Sequence, residues 1–204
     1  SLGVSLSATL ISLVLGVSAG VLIGLSRFPG RRFFVSLVNT GMGAPPVVVG
    51  LFVTLFLWRY GPLGLFHLMY TPSAMVIAQC IISLPIIMGF TLASIQQIDK
   101  KLQLQLLALG ASRGQLVWWL IREARLPLLA AVMAGFGAVI SEVGASTMVG
   151  GNILGQTRVL TTAIMMENGK GNFGMAMALS VILMLLVLAV NLLLTWLQQR
   201  SKVT

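Results

Sequence analysis

The sequence predicts an all-α integral membrane chain of about five spanning helices, with its amino end outside and its carboxyl end in the cytoplasm. Three observations carry that prediction. Hydrophobic residues make up 57% of the 204 and charged residues only 8%, against roughly 25% charged in soluble domains. The apolar residues fall in long uncharged runs, most near the roughly 20 residues that a spanning helix needs. The 13 basic residues gather in alternate connections between those runs instead of spreading over a surface.

The same facts exclude several classes. A net charge of +9 would suit nucleic acid, but the bases are not interleaved with aromatic stacking positions, so that partner is set aside. Cys80 is the only cysteine and His67 the only histidine, which rules out an intrachain disulfide and a Cys/His metal site. The acids are Asp99, Glu123, Glu142 and Glu167, and no two lie near each other with a histidine or nucleophile at helical spacing. A phosphate-cradling P-loop is also missing. No catalytic residues are expected, and any work the chain does must draw on a partner or an ion gradient.

The chain starts at Ser1 rather than at a methionine, which leaves room for residues upstream. The first apolar run, 4–25, is longer than a signal-peptide core and has no basic flank before it, so it is read as a span. Gly16, Gly20 and Gly24 recur every four residues on one face. That spacing permits close helix contact, or the glycines are merely tolerated in lipid. Arg27, Arg31 and Arg32 follow, around a Pro29-Gly30 turn.

No charge occurs over 33–58, yet 39–46 interrupts the pattern. Pro45 and Pro46 cannot both sit inside an undisturbed helix, because each lacks a backbone donor. The prediction is a short interfacial or buried segment from Phe33, then a second span over 46–58. Irregular backbone at that depth must be covered by protein or face a water-filled cavity. The stretch 41–50, with Pro45, Pro46 and Val47, is therefore a candidate part of a pathway.

A loop over 59–72 leads to a third span, 73–96, kinked at Pro85. From 97 to 125 the chain is polar and basic enough to leave the membrane. A fourth span is expected over 126–149, a polar loop over 150–172 and a fifth span over 173–197. On this scheme one side holds Arg27, Arg31, Arg32, Lys100, Lys101, Arg113, Arg122, Arg125, Arg200 and Lys202, and the other only Arg59, Arg158 and Lys170. Ten against three places the first side in the cytoplasm.

The 97–125 segment is far longer than the roughly 2–8 residues of an ordinary helix–helix connection. It reads as a short apolar-rich helix ending at Gly110, then a second helical stretch from Arg113 through Trp118 and Trp119. Exposed apolar residues there suit a docking surface; an amphipathic helix lying on the membrane is the alternative.

Leu107-Ala108-Leu109-Gly110-Ala111-Ser112-Arg113 resembles the heart of the cytoplasmic loop motif of bacterial ABC importer permeases, E-A-A, three residues, then Gly. The position six before the glycine, acidic in that family, is Leu104 here, and the family's Leu-Pro is displaced to Leu126-Pro127. Gly43-Ala44-Pro45-Pro46-Val47-Val48-Val49-Gly50-Leu51 and the run from Glu142 to Ile153 resemble segments of molybdate, tungstate and sulfate permeases. The run from Gly155 to Ile164, with Glu167 and Gly171-Asn172-Phe173, is most similar to the tungstate type.

That resemblance implies one permease domain over 1–204 with the type I importer (MetI-like) fold, in a prokaryotic cytoplasmic membrane. It implies a pair of such chains, two ATPase subunits docked on the residues from Leu107 to Arg113, and an external oxyanion-binding protein. ATP and Mg would be bound by the ATPase, with no cofactor in this chain. The cargo implied is tungstate or molybdate; sulfate and an ion-driven secondary transporter are the alternatives.

Within that frame the polar residues of the spans are candidate path or gate residues. An ionisable Glu142 inside a span is a functional hypothesis by default. Its carboxylate would repel an oxyanion, so it either accepts backbone or hydroxyl hydrogen bonds to fix the fourth span or lines a gate. Ser146, Thr147, Thr161 and Thr162 offer neutral donors that can release an anion, or serve in routine helix–helix bonding. Arg158 and Glu167 fall on the binding-protein side, where Arg158 could attract the anion, pair with Glu167, or simply face solvent.

Overall fold

The structure, a computed structural model, describes residues 1–200. Lys202 and the side chain of Arg200, counted above among the cytoplasmic bases, lie outside what is described. Among the described residues every regular element is helical.

Helix α1 (Leu2–Leu25) buries a stripe of small residues that includes Ser5, Ala8, Ser12, Gly16 and Gly20. Small side chains let backbones approach, which substitutes in lipid for the hydrophobic drive available in water. The partner is α4 (Pro72–Gln97), opened by Pro72 at its first position and by the Thr71 hydroxyl, which accepts the Ala74 amide at 3.3 Å. Ser12 meets Ser83 at 2.6 Å, 71 positions apart, and Gly16, Gly20 and Gly24 face Ile87, Thr91 and Ile95 at the same offset. A constant offset means that α1 and α4 run parallel. Two parallel neighbours must cross the membrane in the same direction, as the charge pattern requires of the first and third spans.

Between them the chain returns through α2 (Arg31–Met42) and α3 (Pro46–Leu57), bent by 105° at their junction. Pro45 and Pro46 cause the bend. Pro46 takes the first helical position of α3, where its missing N–H costs nothing. The twelve residues of α3 rise only about 18 Å, short of the roughly 30 Å hydrocarbon core. The span expected over 46–58 therefore crosses only in combination with α2.

After α4, the helices α5 (Lys100–Ala108) and α6 (Arg113–Glu123) precede α7 (Arg125–Ile140), with a 69° bend between α6 and α7. The fourth span, expected over 126–149, is built from two helices. α7 stops at Ile140, and α8 (Gly144–Gly150) restarts after Ser141, Glu142 and Val143. Local chemistry explains the break. Ser141 turns its hydroxyl back to the Gly137 carbonyl at 2.7 Å, and the Glu142 carboxylate takes amides of the following turn. The loop expected over 150–172 contains a further helix, α9 (Leu160–Gly169), packed against α10 (Phe173–Arg200).

Among the described residues three helices, α1, α4 and α10, are long and apolar enough to cross a membrane alone, and the count rises to as many as five if each bent pair, α2 with α3 and α6 with α7, is one span. The interior has two apolar cores. One joins Val49, Val53 and Leu57 of α3 to Met75 and Ala78 of α4 and to Ala145 and Val149 of α8. The other joins Val21 of α1 and Ile95 of α4 to Leu120 of α6 and Leu128 of α7.

Candidate functional site

Two places concentrate the residues singled out in the sequence: a turn beyond the ends of the spans, and a pair of helix breaks inside them.

The turn lies between α5 and α6. Asp99 opens α5 by accepting the Lys101 amide at 2.9 Å. At the other end the Gly110 amide donates to Leu107 O and the Ala111 amide to Leu106 O, each at 3.0 Å. These paired bonds satisfy carbonyls the helix would leave orphaned and need a left-handed residue, supplied by Gly110 at φ +83°. Ser112 then starts α6. Its hydroxyl accepts the Gln115 amide and its own amide donates to the Gln115 side chain, a reciprocal cap. Leu107, Ala108, Leu109, Gly110, Ala111, Ser112 and Arg113 thus form one rigid helix–turn–helix corner.

No residue of α5 is buried, and Leu104 and Leu109 are 65% and 85% exposed. α6 is rooted by contrast: Leu120 is fully buried against α1 and α4. Near its end the Arg122 guanidinium stacks over Trp118 and Trp119, 5.3 and 5.2 Å from their ring centres. An apolar corner stands out from the body of the chain on a helix anchored within it.

Inside the spans, the break before α3 and the break before α8 lie side by side. A Cβ on Gly144 would come 2.9 Å from Val47 Cγ2, and one on Gly50 would come 2.6 Å from Ala145 Cα. Glu142 is 5% exposed. Its Oε1 accepts the Ala145 amide at 2.9 Å and its Oε2 the Ser146 amide at 3.0 Å. A carboxylate is well placed at a helix start, where free amides and the helix dipole both favour negative charge. The Thr161 hydroxyl donates to the Glu142 carbonyl at 3.0 Å, tying α9 to the same break.

The remaining candidates divide by exposure. Pro45, Pro46 and Val47 lie on a face that this chain does not cover, Thr147 is half-buried, and Ser146, Thr161 and Thr162 are buried. Thr147 donates to Val143 O at 2.7 Å. Thr162 accepts the Val159 amide at 3.1 Å and lies 2.9 Å from Asn152 Oδ1, capping α9. These threonine donors are used within the chain in this conformation.

Gln79 of α4, unremarked in the sequence, belongs to this group. It is 2% exposed and donates to the Ser146 hydroxyl at 3.2 Å, while its Oε1 has no partner. The available signal was an amide inside an otherwise apolar run, since polar groups in a span are costly without a task.

Arg158 donates to the Asn152 side chain at 3.2 Å and to its carbonyl at 3.3 Å, not to Glu167. Glu167 takes Lys170 Nζ at 2.8 Å and Asn172 Nδ2 at 3.0 Å. Those two bonds, Lys170 first, hold its carboxyl below the ordinary range. Tyr70 also joins this region: its amide donates to Val149 O at 2.9 Å, and its ring lies against Gly151.

Comparison with known proteins fits this geometry. The chain is 42% identical over 196 residues to a probable anion ABC transporter permease protein of Haloferax volcanii, covering 94% of this chain and 84% of that one. It is 39% identical over 199 residues to the tungstate uptake system permease protein TupB of Peptoclostridium acidaminophilum, covering 98% and 87%. A TupB of Campylobacter jejuni is 36% identical over 165 residues, covering 81% and 69%. Residues 13–203 match the family described as the inner membrane component of binding-protein-dependent transport systems, and the chain belongs to that family.

Proposed function

We propose that the chain is the permease subunit of an ATP-driven importer for a tetrahedral oxyanion, tungstate first and molybdate next. The observation that carries this reading is the corner at Gly110, an exposed apolar turn on a helix rooted in the span core. Such a knob transmits motion only when something grips it. The relatives named as tungstate uptake permeases, similar over most of both chains, support the choice of cargo.

In this mechanism the amino end lies outside and the carboxyl end in the cytoplasm, so the Gly110 corner meets ATPase subunits. Two copies of the chain form the path and two ATPases dock from below, binding ATP and Mg themselves. An oxyanion-binding protein docks outside, near Arg158 and Glu167. ATP binding closes the ATPases and draws the two corners together. The pull passes through Leu120 into α1 and α4, and the spans rock from inward-facing to outward-facing. Cargo then enters from the binding protein, passing Pro45, Pro46 and Val47 and the ends of α3 and α8. Glu142, Ser146, Thr147, Thr161 and Thr162 hold those broken helices in shape beside the route, bonding within the chain and leaving the anion no tight partner there.

The test is ATP hydrolysis by the reconstituted complex with binding protein loaded with tungstate, molybdate or sulfate. Tungstate is expected to stimulate most. Equal stimulation by all three would remove the cargo assignment and leave the importer class standing. Absence of any ATPase association would remove both.

A further inference from the structure

The cytoplasmic-side rim of α1 and α4 holds a concavity that neither the coupling corner nor the helix breaks explain. It encloses about 280 Å³ between the end of α1, the start of α2, the end of α4 and the start of α5. One wall is apolar, with Leu25 and Ile98 among its residues; Arg27, Arg31, Lys100 and Gln103 line the other. No acid lines it. The neighbouring acid, Asp99, uses Oδ1 to accept the Lys101 amide.

Three cations converging on one cavity repel one another unless an anion joins them. Topology alone requires bases on this side of the membrane but not their convergence on one concavity. Arg31 is half-buried, and its Nε donates to the Ile23 carbonyl at 2.9 Å, at the negative end of α1. That bond fixes the guanidinium plane, and among the described residues no hydrogen bond or ion pair is recorded for either Nη group. Arg27 and Lys100 form no ion pair among the described residues.

Beside the cavity stands an aromatic cluster. Phe34 meets Phe28 and Phe33 edge to face, at 5.7 and 6.1 Å between ring centres, and Phe33 is 69% exposed. These exposed rings set an apolar surface directly beside the bases.

From these contacts we infer that the cavity binds the phosphodiester of an anionic phospholipid. Arg27, Arg31 and Lys100 hold the phosphate oxygens, and the apolar wall and the phenylalanines carry the glycerol and upper acyl chains. A free oxyanion shares the phosphate chemistry but has no use for the apolar wall or the aromatic cluster. The ATPase is an unsuitable occupant: Leu107 lies roughly 10 Å further along α5 than Lys100, at 1.5 Å per residue. Basic pockets between spanning helices recognise lipid headgroups in this way. The inference rests on the orientation proposed above only for which leaflet supplies the lipid, and the test below is indifferent to leaflet.

The test is native mass spectrometry of the protein, with whatever subunits stay bound, extracted from vesicles of equal phosphatidylglycerol and phosphatidylcholine. Wild type is expected to retain phosphatidylglycerol several-fold over phosphatidylcholine. The double variant R27Q/K100Q should lose that preference while unfolding at the wild-type temperature, and R27K/K100R should keep it. Single R27Q and K100Q complexes should each show an intermediate preference, which keeps the test open if the double variant fails to assemble. Equal retention of the two lipids by wild type, or an unchanged preference in R27Q/K100Q, would overturn the inference. Displacement of the lipid by millimolar phosphate or tungstate would also overturn it, by making the cavity a free-anion site. Failure of cargo-stimulated hydrolysis would leave the lipid result untouched, so the two readings fail separately.

Discussion

The Oε2 of Glu142 accepts the amide of Ser146 at 3.0 Å, so a carboxylate buried in the spans serves to start a helix. Its repulsion of an anionic cargo is muted because its oxygens are already turned to the amides of Ala145 and Ser146. Replacement by alanine leaves both donors buried and unpaired, at about 1–3 kcal/mol each. E142A should therefore melt well below wild type in detergent, and E142Q, which keeps one acceptor, should fall between them. An E142A midpoint equal to wild type would end the capping role.

The α1–α4 contact predicts a graded series of glycine replacements. A Cβ on Gly20 would lie 2.8 Å from both Met88 O and Thr91 Cβ, one on Gly16 would lie 3.1 Å from Ile87 Cγ2, and one on Gly3 meets nothing within 4 Å. G20A should destabilise by roughly 1–3 kcal/mol, as overpacking does, with G16A milder and G3A near neutral. Thermal unfolding in one detergent ranks them. A flat series would mean that the helices separate at no cost.

Gly110 separates backbone strain from partner fit. Its Cβ direction is open to solvent, but its φ of +83° penalises any L side chain. G110V should lose ATPase association and stimulated hydrolysis. G110N, whose side chain tolerates the left-handed region, should keep the turn. If G110N folds normally yet still loses association, the proposed docking partner reads the missing side chain. If G110V associates like wild type, the corner is not the docking point.

Glu167 supplies a pH prediction. Its carboxyl is held below the ordinary range by Lys170 and then Asn172. A depressed carboxyl stabilises the fold above its unfolded pKa, and that contribution disappears as pH falls through the lowered value. Amide exchange at Gly171 and Asn172, the turn between α9 and α10, should accelerate below that range beyond the intrinsic pH effect. E167Q should remove the excess. Identical profiles for the two proteins would refute the linkage.

Much of this architecture is legible in the sequence because lipid imposes simple rules. Long uncharged runs mark α1, α4 and α10. Pro45-Pro46 marks the bend before α3, since proline cannot donate. Gly110 followed by Ser112 marks a helix stop and a helix start, each a local backbone requirement. The break at Ser141–Val143 was harder to see. Glu142 sits in an apolar run that satisfies the span pattern, and nothing in the spacing says that its carboxylate turns onto its own following amides. α9 is hidden for a related reason: of the polar residues that suggest a loop, Asn152 bonds Arg158 and Thr162, Thr157 accepts the Ile153 amide, and Thr162 caps the helix.

By itself, then, the sequence determined the apolar solvent of this protein, the long uncharged runs of α1, α4 and α10, the uneven placement of its bases, and the corner at Gly110. Each follows from a property that acts within one or two turns: hydropathy, missing donors, left-handed backbone, charge. Only the tertiary structure decided that α1 and α4 run parallel, that the breaks before α3 and α8 meet at Gly50 and Ala145, that Gln79 reaches Ser146, and that Arg27, Arg31 and Lys100 line one cavity. Those relations join residues far apart in the chain. Their geometry depends on how small side chains let helices approach, and hydropathy carries no record of that.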